Sequence, residues 1–96
     1  MPEHKIGVIT HYFGKIGVAV LELTEGELSV GDTIHVKGHT SDFTQTVDSI
    51  RSAASFTQRA ENNPEWMQTA KVGDVIGIEA SEHARQDDEV FKITDS

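Results

Sequence analysis

Apolar and polar residues alternate in short runs along this chain, and turns rich in glycine and acid separate the runs. From Thr33 to Lys37, Ile34 and Val36 fall on one parity and Thr33, His35 and Lys37 on the other, as a half-buried strand requires. The pair Gly31-Asp32 ahead of this strand is a turn signal. Glycine enters positive φ without steric cost, and aspartate hydrogen-bonds its own local backbone. The design recurs in Val72-Gly73-Asp74-Val75-Ile76-Gly77-Ile78, where Ile76 and Ile78 take the places of Ile34 and Val36. A third version runs from Gln86 to Ile93, with the acidic turn Asp87-Asp88-Glu89 in place of Gly-Asp. Three turn-to-strand units of one kind predict a small all-β domain whose strands share a single core.

In chain order, Lys5 to Phe13 is the first predicted strand. Its apolar residues occupy both parities, so it is either buried on both faces or bulged midway. Gly14-Lys15 makes a turn, and Ile16 to Thr24 follows with small residues (Gly17, Ala19) opposite larger ones (Ile16, Val18, Val20). Phe43 to Ile50 reads as a Thr-rich strand with Phe43 and Val47 on one side, and Ile50 breaks the parity as a bulge or strand end. Ser52 to Ala60 reads equally as a helical turn or a strand, and Glu61 to Pro64 is a loop by composition. Trp66 to Ala70 leads into the second Gly-Asp unit, and Glu89 to Ile93 closes the sheet. The whole of 1–96 forms one domain with a core from about residue 5 to 93, and no linker interrupts it.

Composition narrows the function classes. A chain of 96 residues supports one modest core, burying somewhat over 60% of its unfolded surface. There is no cysteine, which excludes a disulfide framework, a thiol nucleophile and a thiolate metal site. The longest apolar run, Ile16 to Leu21, is too short to span a bilayer, and no signal-like segment follows Met1. A soluble chain in a reducing cytoplasm, with no membrane partner, is the expectation. The net charge of -8 disfavours general binding to nucleic acid backbones, and the Lys and Arg residues are scattered singly.

Three longer stretches carry a resemblance. Gly17-Val18-Ala19-Val20-Leu21-Glu22-Leu23 is followed by Gly26-x-Leu28-x-Val30-Gly31-Asp32-Thr33-Ile34-x-Val36-x-Gly38, and then by Thr40-Ser41-Asp42-Phe43-x-Gln45-x-Val47-x-Ser49-Ile50. Together they resemble the second, β-barrel domain of translational GTPases of the elongation factor Tu type. They also resemble the related barrel at the end of collagenase-like peptidase family proteins, some of which act in RNA hydroxylation. The resemblance implies a small closed six-stranded antiparallel β-barrel. It also implies a non-catalytic binding module for RNA, such as a tRNA end, or for a translation or RNA-modification protein. No Gly-x-x-x-x-Gly-Lys-(Ser/Thr) loop occurs, so GTP has no seat and no cofactor is expected. The alternative function is a protein-interaction or homo-oligomeric barrel without RNA contact, which the acidic charge favours.

His4, His11, His35 and His39, with Asp32 and Asp42, contain ligand types for zinc or iron, but no His-x-His pair exists, and the two members of His35-x-x-x-His39 fall in a predicted strand and in the loop after it. They read as solvent-facing histidines, and a His-based metal protein is the least favoured function. Ser49, Ser52 and Ser55 have no nucleophile elbow around them, and the run Asp87-Asp88-Glu89 reads as a solvated turn. No catalytic residue is assigned. Lys15, Arg51, Phe56, Arg59 and Trp66 are the candidate partner contacts, with Trp66 either plugging the core or anchoring a partner. Gly31, Asp32, Gly73 and Asp74 are assigned a structural role in turns, and Gly31→Val is expected to destabilise the domain severely.

Overall fold

A computed structural model describes residues 3–52 and 66–94. Ten strands follow one another: β1 (Glu3–Phe13), β2 (Val18–Leu23), β3 (Leu28–Ser29), β4 (Thr33–Lys37), β5 (Asp42–Thr46), β6 (Ile50–Ser52), β7 (Trp66–Met67), β8 (Thr69–Ala70), β9 (Val75–Glu79) and β10 (Glu89–Ile93). Eight of them form one sheet in the order β5-β4-β10-β1-β2-β9-β6-β7, and β3 pairs with β8 in a separate two-stranded ladder. Every pairing among the described residues is antiparallel. The domain is therefore all-β, as the alternation predicted. The described ladders differ from a six-stranded ring, however, and none of them joins edge strand β5 to edge strand β7.

The sheet nevertheless curls. Gln45, on edge strand β5, donates its side-chain amide to the Glu79 carbonyl at 2.6 Å and accepts from the Ser81 backbone N–H at 2.7 Å. One side-chain amide thus occupies the place of a peptide group between β5 and the end of β9. Curvature elsewhere comes from β1, an 11-residue strand that pairs with β10 through its first half and with β2 through its second. Register shifts at Lys5/Gly7 and Ile9/His11 re-aim its side chains, which is why apolar residues of both parities are accommodated.

Inside the curl lie Ile6, Ile9, Ala19, Leu21, Leu23, Ile34, Val36, Phe43, Val47, Ile50, Ile76, Ile78 and Val90, all buried. The inward parity of β4 is the one read from sequence. In β2 the core takes Ala19, Leu21 and Leu23, while Val18 and Val20 are also buried. The predicted strand from Phe43 to Ile50 divides into two. β5 ends at Thr46, and Ile50 opens β6 between β9 and β7. The parity break at Ile50 marks a strand end, because the chain there leaves one edge of the sheet for the other. The first turn begins at Gly14 as expected but runs on to Gly17, at φ +67°, so that β2 starts at Val18 and not at Ile16.

The three turn-to-strand units have one geometry. In the first, the Ser29 N–H donates to Asp32 Oδ2 (2.8 Å) and the Asp32 N–H to the Ser29 carbonyl (3.0 Å). Lys71 and Asp74 repeat the exchange at 2.9 and 2.9 Å, and Arg85 and Asp88 at 2.9 and 3.1 Å. The residue before each aspartate has positive φ: Gly31 at +97°, Gly73 at +97° and Asp87 at +75°. Each turn also docks on one buried residue by a reciprocal pair of backbone bonds. Gly31 N–H donates to the Val47 carbonyl and Val47 N–H to the Asp32 carbonyl, both at 2.8 Å. Leu23 serves Gly73 and Asp74 at 2.8 and 3.0 Å, and Ile9 serves Asp87 and Asp88 at 2.7 and 2.8 Å. Each such bond contributes about 1 kcal/mol net.

The third unit corrects one expectation. Asp88 is not a solvated turn residue: it is 3% exposed, because its carboxylate packs against Gly38, where a Cβ would collide with it. Among the described residues no helix is long and apolar enough to cross a membrane.

Candidate functional site

His35 does not face solvent freely, contrary to expectation. Its side chain is 16% exposed, since the order β5-β4-β10-β1 carries Asp42 to one ring nitrogen and Glu3 towards the other. Nδ1 lies 3.0 Å from Glu3 Oε2, and Nε2 bonds Asp42 Oδ1. Hydrogen bonding to Asp42 is the main effect that raises the His35 pKa above the ordinary histidine value; burial opposes it, and the hydrogen bond and charge of Glu3 add smaller upward pushes. With both nitrogens engaged by carboxylates, this ring has none left to act on a substrate as a base. The two carboxylates sit on opposite sides of the ring, so they do not converge on a metal ion. Among the described residues, no group of three His, Asp or Glu is placed to hold one.

Three clefts stand out among the described residues, and one of them, about 420 Å³, is lined by Lys37, His39, Asp87, Glu89 and Phe91, so that carboxylates offset its cation. The first of the other two, about 660 Å³, is lined by Asp32, Thr33, Thr44, Lys92 and Thr94. Its cation is engaged within the chain: Lys92 Nζ is 3.5 Å from Asp32 Oδ2 and donates to the Glu27 carbonyl at 3.3 Å. Thr94 Oγ1 there is buried without a hydrogen-bond partner.

The second cleft, about 320 Å³, opens where the end of β1 meets the loop from Ser81 to Asp88. Its lining includes His11, Tyr12, His83, Arg85 and Gln86. The Tyr12 and His83 rings are 4.5 Å apart and tilted, and His11 meets Phe13 edge-on at 4.4 Å. Three consecutive ring residues at the end of an alternating strand must place rings on both faces. Tyr12 accordingly leans on the core while His11 is exposed. The Arg85 side chain makes no hydrogen bond or ion pair with any described residue, so its charge is available. The cleft thus offers ring faces and hydrogen-bond donors, and its lining includes no serine, threonine or carboxylate.

The residues singled out from sequence fall elsewhere. Lys15 is exposed in the β1–β2 turn, next to Gly14 of this cleft's rim. Arg51 and Trp66 are brought opposite each other in the β6–β7 pairing. Phe56, Arg59 and the Trp66 side chain lie outside the described residues, as does the rest of 53–65. The cleft residues His11, Tyr12, His83 and Arg85 were missed as a group. The run His11-Tyr12-Phe13 was the available signal, but nothing local shows that residues 83–86 come to meet it.

No family model matches the chain, and no curated protein matches it. Solved structures do. The chain is similar to the C-terminal domain of a Geobacillus thermoleovorans protein ascribed to the U32 peptidases, with a TM-score of 0.78 at 14% identity over 95% of this chain and 93% of that one. The selenomethionine variant of that domain gives a TM-score of 0.75 at 13% identity, over 91% and 96% of the two chains. The chain therefore has the fold of a domain that closes a collagenase-like peptidase family protein, one of the two likenesses its sequence suggested.

Proposed function

We propose that this chain is a non-catalytic binding module that contacts the end of an RNA strand, in the manner expected of a barrel of translation-factor type. The observation that carries the reading is the second cleft. In a chain of net charge -8, it sets tilted rings beside an arginine that nothing in the described chain neutralises. Proteins that bind single strands combine stacking faces with cationic donors in this way. The fold likeness supports the non-catalytic half, since the neighbour is an end domain of a larger protein.

The test is an amide NMR titration at low salt with intact tRNA and with a short acceptor-end RNA. Residue-specific shifts that fade as salt rises are expected. An unchanged spectrum with both RNAs overturns the reading. A second reading, a protein-binding or self-associating domain, is favoured by the acidic charge and by Ile16, which is 59% exposed in the β1–β2 turn. Concentration-dependent light scattering without any RNA response would select it.

A further inference from the structure

The loop from Ser81 to Asp88 is polar in sequence yet firmly held. Its Ser81 N–H is bound by Gln45 at 2.7 Å, and its far end is clasped to Ile9 at 2.7 and 2.8 Å. Ala84, between these anchors, is 0% exposed. With Ala84 turned into the core, His83 and Arg85 on either side of it are presented outward, and both are exposed. The backbone of this loop is thus ordered in advance, while its guanidinium has no partner among the described residues. Little ordering cost remains for a ligand to meet. No carboxylate lines the cleft. Glu82 and Asp87 stand in the same loop outside its lining and would repel a chain of phosphates running past.

We propose that this cleft binds a single phosphomonoester, anchored by Arg85, with the imidazoles of His11 and His83, the Tyr12 hydroxyl and the Gln86 amide as further donors. A guanidinium fork grips two phosphate oxygens, and the third acceptor oxygen suits the neutral donors around it. A carboxylate offers two oxygens and would leave those donors unmatched. A volume of about 320 Å³ is at the small end of ligand pockets, enough for the phosphate and the first group attached to it. The phosphate is carried by a free mononucleotide or by the 5′ end of an RNA strand. In the second case the inference rests on the RNA reading above.

The experiment uses the whole chain and four probes: inorganic phosphate, AMP, and one trinucleotide with and without a 5′-phosphate. Tyr12 is the one tyrosine of the chain, so its ring protons report on the cleft without ambiguity. Shifts of Tyr12, His83 and Arg85 are expected with every phosphorylated probe, and the unphosphorylated trinucleotide should bind more weakly. Arg85→Ala should weaken phosphate binding about tenfold or more. Lys71→Ala, which removes the same charge from another exposed loop position, should change it little. Tighter binding of the 5′-phosphorylated strand than of AMP assigns the phosphate to a strand end, and the reverse assigns it to a free nucleotide. Silence of Tyr12 at millimolar phosphate overturns the inference, as does equal weakening by both substitutions. RNA shifts that map away from Tyr12 overturn it while leaving the RNA reading intact. Phosphate binding at the cleft without any RNA binding supports the site and removes the RNA reading.

Discussion

The glycine corners at Gly31 and Gly73 and the aspartate corner at Asp87 make the same hydrogen bonds and dock in the same way, yet only two of them use the residue that geometry favours. At Gly31 and Gly73 the backbone sits at φ +97° with open space where a Cβ would be. The demand there is conformational and has nothing to do with packing. At Asp87 a side chain is carried at φ +75°, a conformation that aspartate tolerates better than most residues and that still costs something. The third corner is also the one whose following aspartate is buried and whose preceding residues form the candidate cleft. The strained corner and the candidate cleft meet there, and strain of this kind clusters at functional sites.

The contrast breaks most visibly if valine is placed at the glycine corners. Gly31→Val or Gly73→Val should cost about 2 kcal/mol or more, a β-branched side chain being an outlier at positive φ. That lowers the melting temperature by about 10 °C in a domain of this size. The absence of a clash with the added Cβ leaves the backbone conformation as the source of this cost. Thermal melts followed by circular dichroism measure it, and a loss within a degree or two would show that these corners tolerate other conformations. The reverse change sharpens the comparison. Asp87→Gly should stabilise the chain by about 0.5–1 kcal/mol by relieving the strain, read as a higher urea midpoint at unchanged slope. A destabilised variant would mean that the Asp87 side chain contributes something the backbone does not.

The smallest effect concerns His35, whose side chain ties β1, β4 and β5 together where the corners use backbone. Its folded pKa is raised by Asp42 and Glu3. The stabilisation it adds is therefore fully present below the ordinary value of about 6.5 and is lost as pH rises through the folded value. Asp42 is 73% exposed, so the effect should stay under about 1 kcal/mol. Urea midpoints from pH 6 upward, for the chain and for His35→Gln, should converge with increasing pH. A constant gap would show that the bridge contributes no titrating energy.

What was legible from sequence was local. The corners announce themselves because a four-residue turn needs its glycine and aspartate side by side, and the inward parity of Ile34, Val36, Ile76 and Ile78 follows from alternation alone. What was illegible depended on which strands become neighbours. Val47, Leu23 and Ile9 look like any other apolar residues until the corners dock on them. His35 looked solvent-facing because Glu3, 32 positions away, and Asp42, 7 positions away, reach it only through strand order. The cleft needed β1 and the loop carrying His83 and Arg85 to coincide, which no periodicity expresses.

Gln45 holds the curled sheet at the seam between its first strand and the end of β9. A main-chain rung is common to every amino acid, whereas this stitch belongs to one side chain. Evolution or an experimenter can therefore loosen the join with a single codon, leaving all the ladders as they were. Because the same stitch fixes the start of the loop that bears His83 and Arg85, any slackening of the seam would be felt first by whatever that loop holds.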